Sequence, residues 1–85
     1  MIPFSISFLP SAAKDYKKLE KDIQKRVLAA LDAIALQPAI GKPLQGPFKG
    51  LFSYRIGEYR MVYKIDFKGK EILLYRMGHR RKIYR

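Results

Sequence analysis

Three short runs rich in β-branched and aromatic residues fill most of the C-terminal half of the chain. They span residues 51–56, 59–66 and 71–77, and only two turn sequences separate them. Runs of this length and composition, bounded by glycine-containing turns, are typical of β-strands. The sequence therefore predicts three strands joined as two consecutive hairpins.

The turn sequence Gly57-Glu58 fits a two-residue hairpin loop with glycine in the first central position. Such a loop places Arg55 directly opposite Arg60. Like charges that face each other in a sheet are destabilising by roughly 0.2 to 1 kcal/mol, so stability alone gives no reason for this pair. An anion bound between the two arginines would supply one.

The second turn, residues 67–69, fits the three-residue hairpin type with glycine in the left-handed position. Its register pairs Arg60 with Arg76, so we expect a row of three arginines on one face of the sheet. The alternative is three solvated arginines whose stems cover apolar sheet. The opposite, helix-covered face is predicted to consist of Phe52, Tyr54, Ile56, Tyr59, Met61, Tyr63, Ile65, Leu73, Tyr75 and Met77.

The N-terminal half predicts one strand followed by two helices. The strand covers residues 2–9 and ends at Pro10, after which Ser11 is a candidate N-cap for a short first helix. Asp22 is a candidate cap for the second helix, and Pro38 lies just past its end. The apolar stripe of the second helix consists of Ile23, Val27, Leu31, Ile34 and Ala35.

Residues 37–50 hold a high density of proline and glycine, which describes an ordered loop better than a helix or strand. The sequence shows no internal repeat and no second domain. We therefore expect a single α+β domain over residues 1–85, with the order β-α-α-β-β-β and a basic C-terminal tail. The N-terminal strand and the two helices would pack on one face of a small, mainly antiparallel sheet.

The charge balance points to a polyanionic partner. The 85 residues include 18 Lys and Arg against 7 Asp and Glu, which leaves a formal net charge of +11. Candidate partners are nucleic acid, an acidic membrane surface or an acidic protein, and the basic tail with its tyrosine favours single-stranded RNA. The absence of cysteine excludes disulfides and thiolate metal sites, and no apolar run approaches the roughly 20 residues that cross a bilayer. We expect a cytoplasmic protein with no membrane partner.

Two segments match a known pattern. Residues 54–63 read Tyr-Arg-Ile-Gly-Glu-Tyr-Arg-Met-Val-Tyr, and residues 78–84 read Gly-His-Arg-Arg-Lys-Ile-Tyr. The first is similar to the Arg-x-Gly-(Asp/Glu)-Tyr-Arg-x-x-Tyr segment of the RelE/ParE toxins of bacterial and archaeal toxin–antitoxin pairs. The second is similar to the family's C-terminal Gly-His-Arg-x-x-x-Tyr. The resemblance covers nearly the whole chain.

This resemblance implies a RelE-like fold and a ribosome-dependent endoribonuclease that cuts mRNA in the decoding site. Its partners would be mRNA, ribosomal RNA and an acidic cognate antitoxin, with no cofactor. Attack of a ribose 2′-hydroxyl on the adjacent phosphate would leave a 2′,3′-cyclic phosphate and a 5′-hydroxyl. Such a reaction needs a base, an acid and cations for the charge on the phosphorane, but no metal. The single histidine, with no carboxylate cluster nearby, offers no recognisable metal-binding set.

The two matched segments also imply roles for individual residues. Arg60 and Arg80 would hold the scissile phosphate, Tyr84 would stack on or orient the nucleotide, and Arg55 would lie beside the catalytic groove. His79 suits proton transfer, since an imidazole can donate or accept a proton near neutral pH, but a structural or phosphate-binding role stays open. The resemblance and the charge pattern assign further RNA contacts to Arg76, Arg81, Lys82, Lys49 and Arg85.

Ser53 departs from the family pattern, because active relatives often carry a second basic residue there. The identity of the general base and the general acid therefore stays open. Two rival functions also remain: a ParE-like toxin that inhibits gyrase without nuclease activity, and a non-catalytic RNA-binding module. Gyrase inhibitors generally lack the arginine and tyrosine set, so the presence of Arg60, Arg80 and Tyr84 favours the nuclease.

Overall fold

Two helices lie against one face of a five-stranded mixed sheet in the computed structural model, which describes residues 3–79 and residue 81. The elements are β1 (Ser5–Phe8), α1 (Pro10–Lys17), α2 (Lys21–Leu36), β2 (Lys42–Pro43), β3 (Phe52–Ile56), β4 (Tyr59–Asp66) and β5 (Glu71–His79). The strand order is β1-β5-β4-β3-β2, with β1 parallel to β5 and the other pairs antiparallel. The α+β class and the packing of both helices on the sheet confirm the sequence prediction. The edge strand β2 lies in the segment predicted as a loop.

The helices begin slightly earlier than the sequence indicated. Pro10 is the first residue of α1, where its fixed φ and missing N–H cost nothing, and Leu9 occupies the N-cap position. Ser11 is therefore not a cap. In α2 the N-cap is Glu20, so Asp22 lies in the first turn, where a carboxylate favours the positive end of the helix dipole.

The core forms between α2 and the sheet. The predicted stripe on α2 is buried, except that Ala35 is only partly buried and Ala30 joins the core instead. Ala12 of α1 is completely buried. On the sheet the fully or almost fully enclosed partners are Met61, Tyr63, Ile72, Leu74 and Met77.

The hairpin between β3 and β4 has the predicted register. Ile56 pairs with Tyr59, and Arg55 lies directly opposite Arg60. Gly57 has a φ of 59°, the left-handed conformation that the first central position of this turn requires. Turn chemistry alone was enough to place the two arginines face to face.

The hairpin between β4 and β5 differs from the prediction by one residue. Asp66 pairs with Glu71, so the turn has four residues, and the left-handed position is Lys70, with a φ of 51°, and not Gly69. The Asp66 Oδ1 atom accepts the Gly69 N–H at 3.0 Å, and this bond closes the wider turn.

A shift of one residue turns each side chain to the other face of a sheet. Leu73 and Tyr75, predicted to face the helices, are thus partly exposed, while Ile72 and Leu74 are buried beside Ile65 and Tyr63. A β-bulge further along shifts the register by a second residue and thereby reverses the change of face. Tyr63 pairs with Leu74 but Val62 pairs with Arg76, which returns Met77 to a position opposite Met61.

The wider turn and the bulge together offset the register at Arg60 by two residues from the prediction. Arg60 lies opposite Gly78, and Arg76 lies opposite Val62. The expected pairing of Arg60 with Arg76 is therefore wrong.

Helix α1 completes the edge of β5 beyond the point where β1 ends. The Leu9 N–H donates to the Leu74 carbonyl oxygen at 2.9 Å, and the Ser11 hydroxyl donates to the Tyr75 carbonyl oxygen at 2.7 Å. The Met77 N–H donates to Oδ2 of Asp15 at 3.0 Å. Side chains of α1 thus satisfy backbone groups that an uncovered edge would expose. Within the described part of the chain, no helix is long and apolar enough to cross a membrane.

Candidate nucleic-acid interface

The sheet face turned away from the helices carries Lys42, Arg55 and Arg60. Residues opposite each other on neighbouring strands share a face, and side chains alternate along each strand. Lys42 pairs with Ser53 on β3, and Arg55, two residues further along β3, pairs with Arg60 on β4. These four residues therefore lie on one face, which we call the basic face.

A depression of about 440 Å³ on this face brings the three cations together. Its lining includes Lys42, Ser53, Arg55 and Arg60, together with Ile40, Gly41 and Tyr54. None of its lining residues is acidic. We call it the basic pocket, and its chemistry suits an anion with several acceptor oxygens, such as a phosphate.

The two arginines enter the pocket from rigid strands. Arg60 is partly buried, whereas Arg55 is exposed and its Nε donates a hydrogen bond to the Gly57 carbonyl oxygen at 2.9 Å. That bond ties the Arg55 side chain to the tight turn. Among the described residues, no carboxylate forms an ion pair with either guanidinium. The pair is thus available to a bound anion.

Arg76 is engaged elsewhere. Its Nε lies 2.8 Å from Oδ2 of Asp15, and a second, longer contact of 3.5 Å joins Nη2 to Oδ1. The hydrogen bond and the charge of Asp15 raise the pKa of Arg76 above its ordinary value. Its charge is therefore partly compensated by α1, at the β5 edge of the sheet.

His79 lies on the helix-covered face. It pairs with Tyr59, and the two rings meet edge to face with centroids 5.8 Å apart. The Arg81 backbone N–H donates to Nδ1 of His79 at 3.3 Å, and the ring borders a depression with Asp15 and Leu19. The structure therefore does not bring the His79 ring together with Arg55 and Arg60.

The other predicted residues divide into two groups. Lys49 is exposed in the turn before β3, and Arg81 is exposed after β5. The remaining four, Arg80, Lys82, Tyr84 and Arg85, lie outside the described residues.

Sequence reasoning missed Lys42. Its strand consists only of Lys42 and Pro43, in a segment dominated by helix and strand breakers. A single alternation carries no detectable periodicity. The pairing of Lys42 with Ser53 is visible only in three dimensions.

No cluster of three or more metal-ligating side chains exists among residues 3–79 and 81. The basic pocket itself contributes three cationic side chains, those of Lys42, Arg55 and Arg60. Such groups bind anions and do not bind divalent cations.

Comparisons with known proteins agree with this architecture. Residues 6–84 match the sequence model of the family described as "ParE toxin of type II toxin-antitoxin system, parDE". Toxin RelG of Mycobacterium tuberculosis is 35% identical over 86 residues, which cover 99% of each chain. The crystal structure of the RelBE2 toxin–antitoxin complex from the same organism superposes with a TM-score of 0.86 at 32% identity, over 93% of this chain and 100% of that chain.

A more distant structure shares the fold. The intact E. coli RelBE toxin–antitoxin complex superposes with a TM-score of 0.79 at 19% identity, over 89% of this chain and 95% of that chain. The family match spans nearly the whole sequence, and the fold and the two sequence segments agree with it. The chain therefore belongs to the RelE/ParE family and is a toxin of a type II toxin–antitoxin system.

Proposed function

We propose that this toxin is an endoribonuclease that cleaves mRNA on translating ribosomes in the cytoplasm. The observation that carries the proposal is the basic pocket, in which Arg55 and Arg60 face each other with no carboxylate in the lining. This arrangement costs stability in the free protein, since like charges directly opposite in a sheet repel. A phosphodiester bound between the two guanidinium groups removes this repulsion, so the relief of repulsion adds to the affinity for RNA.

The proposed reaction is a transesterification. The ribose 2′-oxygen attacks the adjacent phosphorus, the bond from phosphorus to the 5′-oxygen breaks, and the proton of the 2′-hydroxyl passes to a base. An acid supplies a proton to the leaving 5′-oxygen. Negative charge grows on the phosphorane, and preorganised guanidinium groups stabilise it more strongly than they stabilise the ground state.

Arg60 is the residue best placed for this role. It is partly buried on the central strand pair, and its planar fork can donate two hydrogen bonds to the non-bridging phosphate oxygens. Arg55 supplies the second cation. The family pattern assigns Arg80 to the same phosphate and Tyr84 to the nucleotide, and both assignments belong to this proposal.

The packing of His79 favours a structural role over a role in proton transfer. Its ring contacts Tyr59 on the helix-covered face, while Arg60 projects from the basic face. We therefore propose that proton transfer in the basic pocket does not depend on His79. A variant such as His79→Gln would keep part of the hydrogen-bonding capacity of the imidazole, and it should retain cleavage.

The proposed partner in the resting state is an acidic antitoxin. The net charge of +11 makes binding of an acidic protein favourable and fast. The related RelBE2 structure is itself a toxin–antitoxin complex. The antitoxin would cover positive surface that otherwise attracts RNA.

A gyrase-inhibiting activity is the second candidate, and the description of the matched family as the ParE toxin favours it. A protein-binding inhibitor has no need for two opposed arginines in a pocket without carboxylates. A non-catalytic RNA-binding module would need the positive charge but would not need Arg55 and Arg60 to face each other. The basic pocket therefore favours the nuclease over both.

Expression of the toxin alone, followed by mapping of mRNA ends, separates these functions. We expect new 5′-hydroxyl ends inside translated reading frames, with 2′,3′-cyclic phosphates on the upstream fragments and no effect on DNA supercoiling by gyrase. Intact mRNA together with inhibited gyrase would establish the rival activity. Intact mRNA with toxin bound to ribosomes would indicate an RNA-binding module.

A further inference from the structure

We propose that Lys42 is a substrate-binding residue that holds a backbone phosphate of the RNA next to the one between Arg55 and Arg60. This inference rests on the proposed function and names a further contact for its substrate. It follows from where Lys42 lies, how its backbone is held and what surrounds its charge.

The strand order places Lys42 across the pocket from Arg60. Strand β3 lies between β2 and β4, and neighbouring strands are about 4.8 Å apart, so β2 is roughly 10 Å from β4. Lys42 and Arg60 nevertheless line the same pocket. They therefore approach it from opposite sides, at a separation that fits a chain of phosphates better than a single one.

The backbone at Lys42 is held by a buried tyrosine. The Tyr63 hydroxyl donates to the Pro38 carbonyl oxygen at 2.7 Å and accepts the Gly41 N–H at 3.0 Å. Tyr63 is fully buried, and its bond to the Gly41 N–H is shielded from water. A two-residue strand that would otherwise be weak is thus anchored directly before Lys42.

Further contacts hold the other side of Lys42. Pro43 pairs with Phe52, and the Phe52 ring stacks on Tyr63 with a centroid distance of 5.6 Å and an interplanar angle of 20°. A Cβ at Gly41 would collide with the Tyr63 hydroxyl and lie 3.0 Å from the Ser53 carbonyl oxygen. The close fit of Gly41 against β3 and β4 fixes the position from which the Lys42 side chain leaves the sheet.

The charge of Lys42 has no carboxylate to compensate it among the lining residues of the pocket. Lysine carries a compact charge on a flexible stem and binds phosphate without a fixed orientation. Arg55 and Arg60 offer planar forks for the reacting phosphate. Lys42 therefore suits an adjacent, non-reacting phosphate, where position matters more than bidentate geometry.

Salt-dependent binding of a non-cleavable RNA tests this contact. The probe is a short single-stranded RNA with 2′-methoxy riboses, which has no 2′-hydroxyl to attack, and its affinity is measured by fluorescence anisotropy over a series of salt concentrations. We expect Lys42→Gln to raise the Kd about tenfold, the size of one lost charge-assisted contact. The slope of log K against log salt should also fall by about 0.7, the contribution of one phosphate on a single strand.

Matched variants separate a specific contact from loss of charge in general. Lys25→Gln removes the same charge from the exposed surface of α2, on the other side of the sheet, and should leave the slope at its parental value. Lys42→Arg should retain most of the affinity. Lys42→Met, which keeps the aliphatic stem, should reproduce the loss seen with glutamine, and circular dichroism should show the parental fold in each variant.

The outcomes bear differently on the two proposals. A slope for Lys42→Gln and Lys42→Met equal to that of the parental toxin overturns the role of Lys42, as does a parental toxin that does not bind the RNA. Dependence of RNA binding on Lys42, in a toxin that fails to cleave mRNA on ribosomes, supports the Lys42 contact and contradicts the nuclease.

Discussion

The Nε atom of Arg76 lies 2.8 Å from Oδ2 of Asp15, and the same carboxylate oxygen accepts the backbone N–H of Met77. One side chain of α1 therefore binds both a side chain and the backbone of β5. The two bonds differ in their surroundings, because the Arg76 side chain is 46% exposed and the Asp15 side chain only 14%. The backbone bond is the more important for stability.

Asp15→Ala should lower the free energy of unfolding by about 1 to 3 kcal/mol, because it leaves the Met77 N–H without its acceptor. Arg76→Ala should cost less than about 1 kcal/mol, since an exposed ion pair contributes little. Urea denaturation of both variants and of the double variant measures the difference. Equal losses in the two single variants would show that the ion pair, and not the backbone bond, attaches α1.

Tyr63→Phe should lower the free energy of unfolding by about 1 to 3 kcal/mol. The substitution removes the hydroxyl that bonds to both Pro38 and Gly41 and leaves a carbonyl and an N–H unpaired near the core. Tyr75→Phe is a suitable control, because no hydrogen bond joins the Tyr75 hydroxyl to another described residue. An unchanged stability of Tyr63→Phe would contradict the role of the hydroxyl as the anchor of β2.

The same hydroxyl predicts a pH dependence. Burial raises the pKa of Tyr63 above its ordinary value of 10.0, so the folded state holds this proton more tightly than the unfolded state. The resulting stability is complete below pH 10 and is lost as pH rises through the folded-state pKa. The stability difference between the parental toxin and Tyr63→Phe should therefore shrink in alkaline solution, as measured by urea denaturation at successive pH values.

Gly41→Ala should destabilise the protein by about 1 to 3 kcal/mol, as expected for overpacking against atoms that have little room to move. The new methyl group would meet the Tyr63 hydroxyl and the Ser53 carbonyl oxygen. Gly78→Ala is the matched control, because a Cβ there meets no described atom within 4 Å. Thermal unfolding of the two variants should differ clearly, and equal melting temperatures would contradict the close approach at Gly41.

The sequence predicted those parts of the fold that local chemistry determines. Gly57 demands a two-residue turn, and this turn set the register of β3 and β4 with Arg55 opposite Arg60. The second hairpin depends on the bond from Asp66 to the Gly69 backbone and on a left-handed Lys70. Glycine is the residue that most readily adopts that conformation, so composition pointed to Gly69 and to a turn one residue too short.

The same distinction between local and long-range determinants applies to the candidate site. The position of Arg55 opposite Arg60 was predicted because one turn fixes both. Arg76 was misplaced because the wider turn and the bulge each shift the register by one residue, and Lys42 was missed because β2 exists only through its pairing with β3. The face of His79 was not predictable either, because it depends on the continuation of β5 to residue 79.

The central claim is that Arg60 stabilises the transition state of RNA cleavage. Arg60→Ala should preserve the fold or stabilise it slightly, because it removes like-charge repulsion with Arg55. Arg60→Lys should restore activity only in part, since lysine keeps the charge and loses the fork. Lys25→Ala, which removes a charge from α2, should cleave at the parental rate.

The most direct measurement is single-turnover cleavage of mRNA on programmed ribosomes, with ribosome binding measured in parallel. If Arg60 acts mainly in the transition state, Arg60→Ala should slow cleavage by about 10² to 10³, which corresponds to roughly 3 to 4 kcal/mol, while its affinity for ribosomes changes far less. Cleavage by folded Arg60→Ala at the parental rate would contradict the assignment of the basic pocket as the catalytic centre.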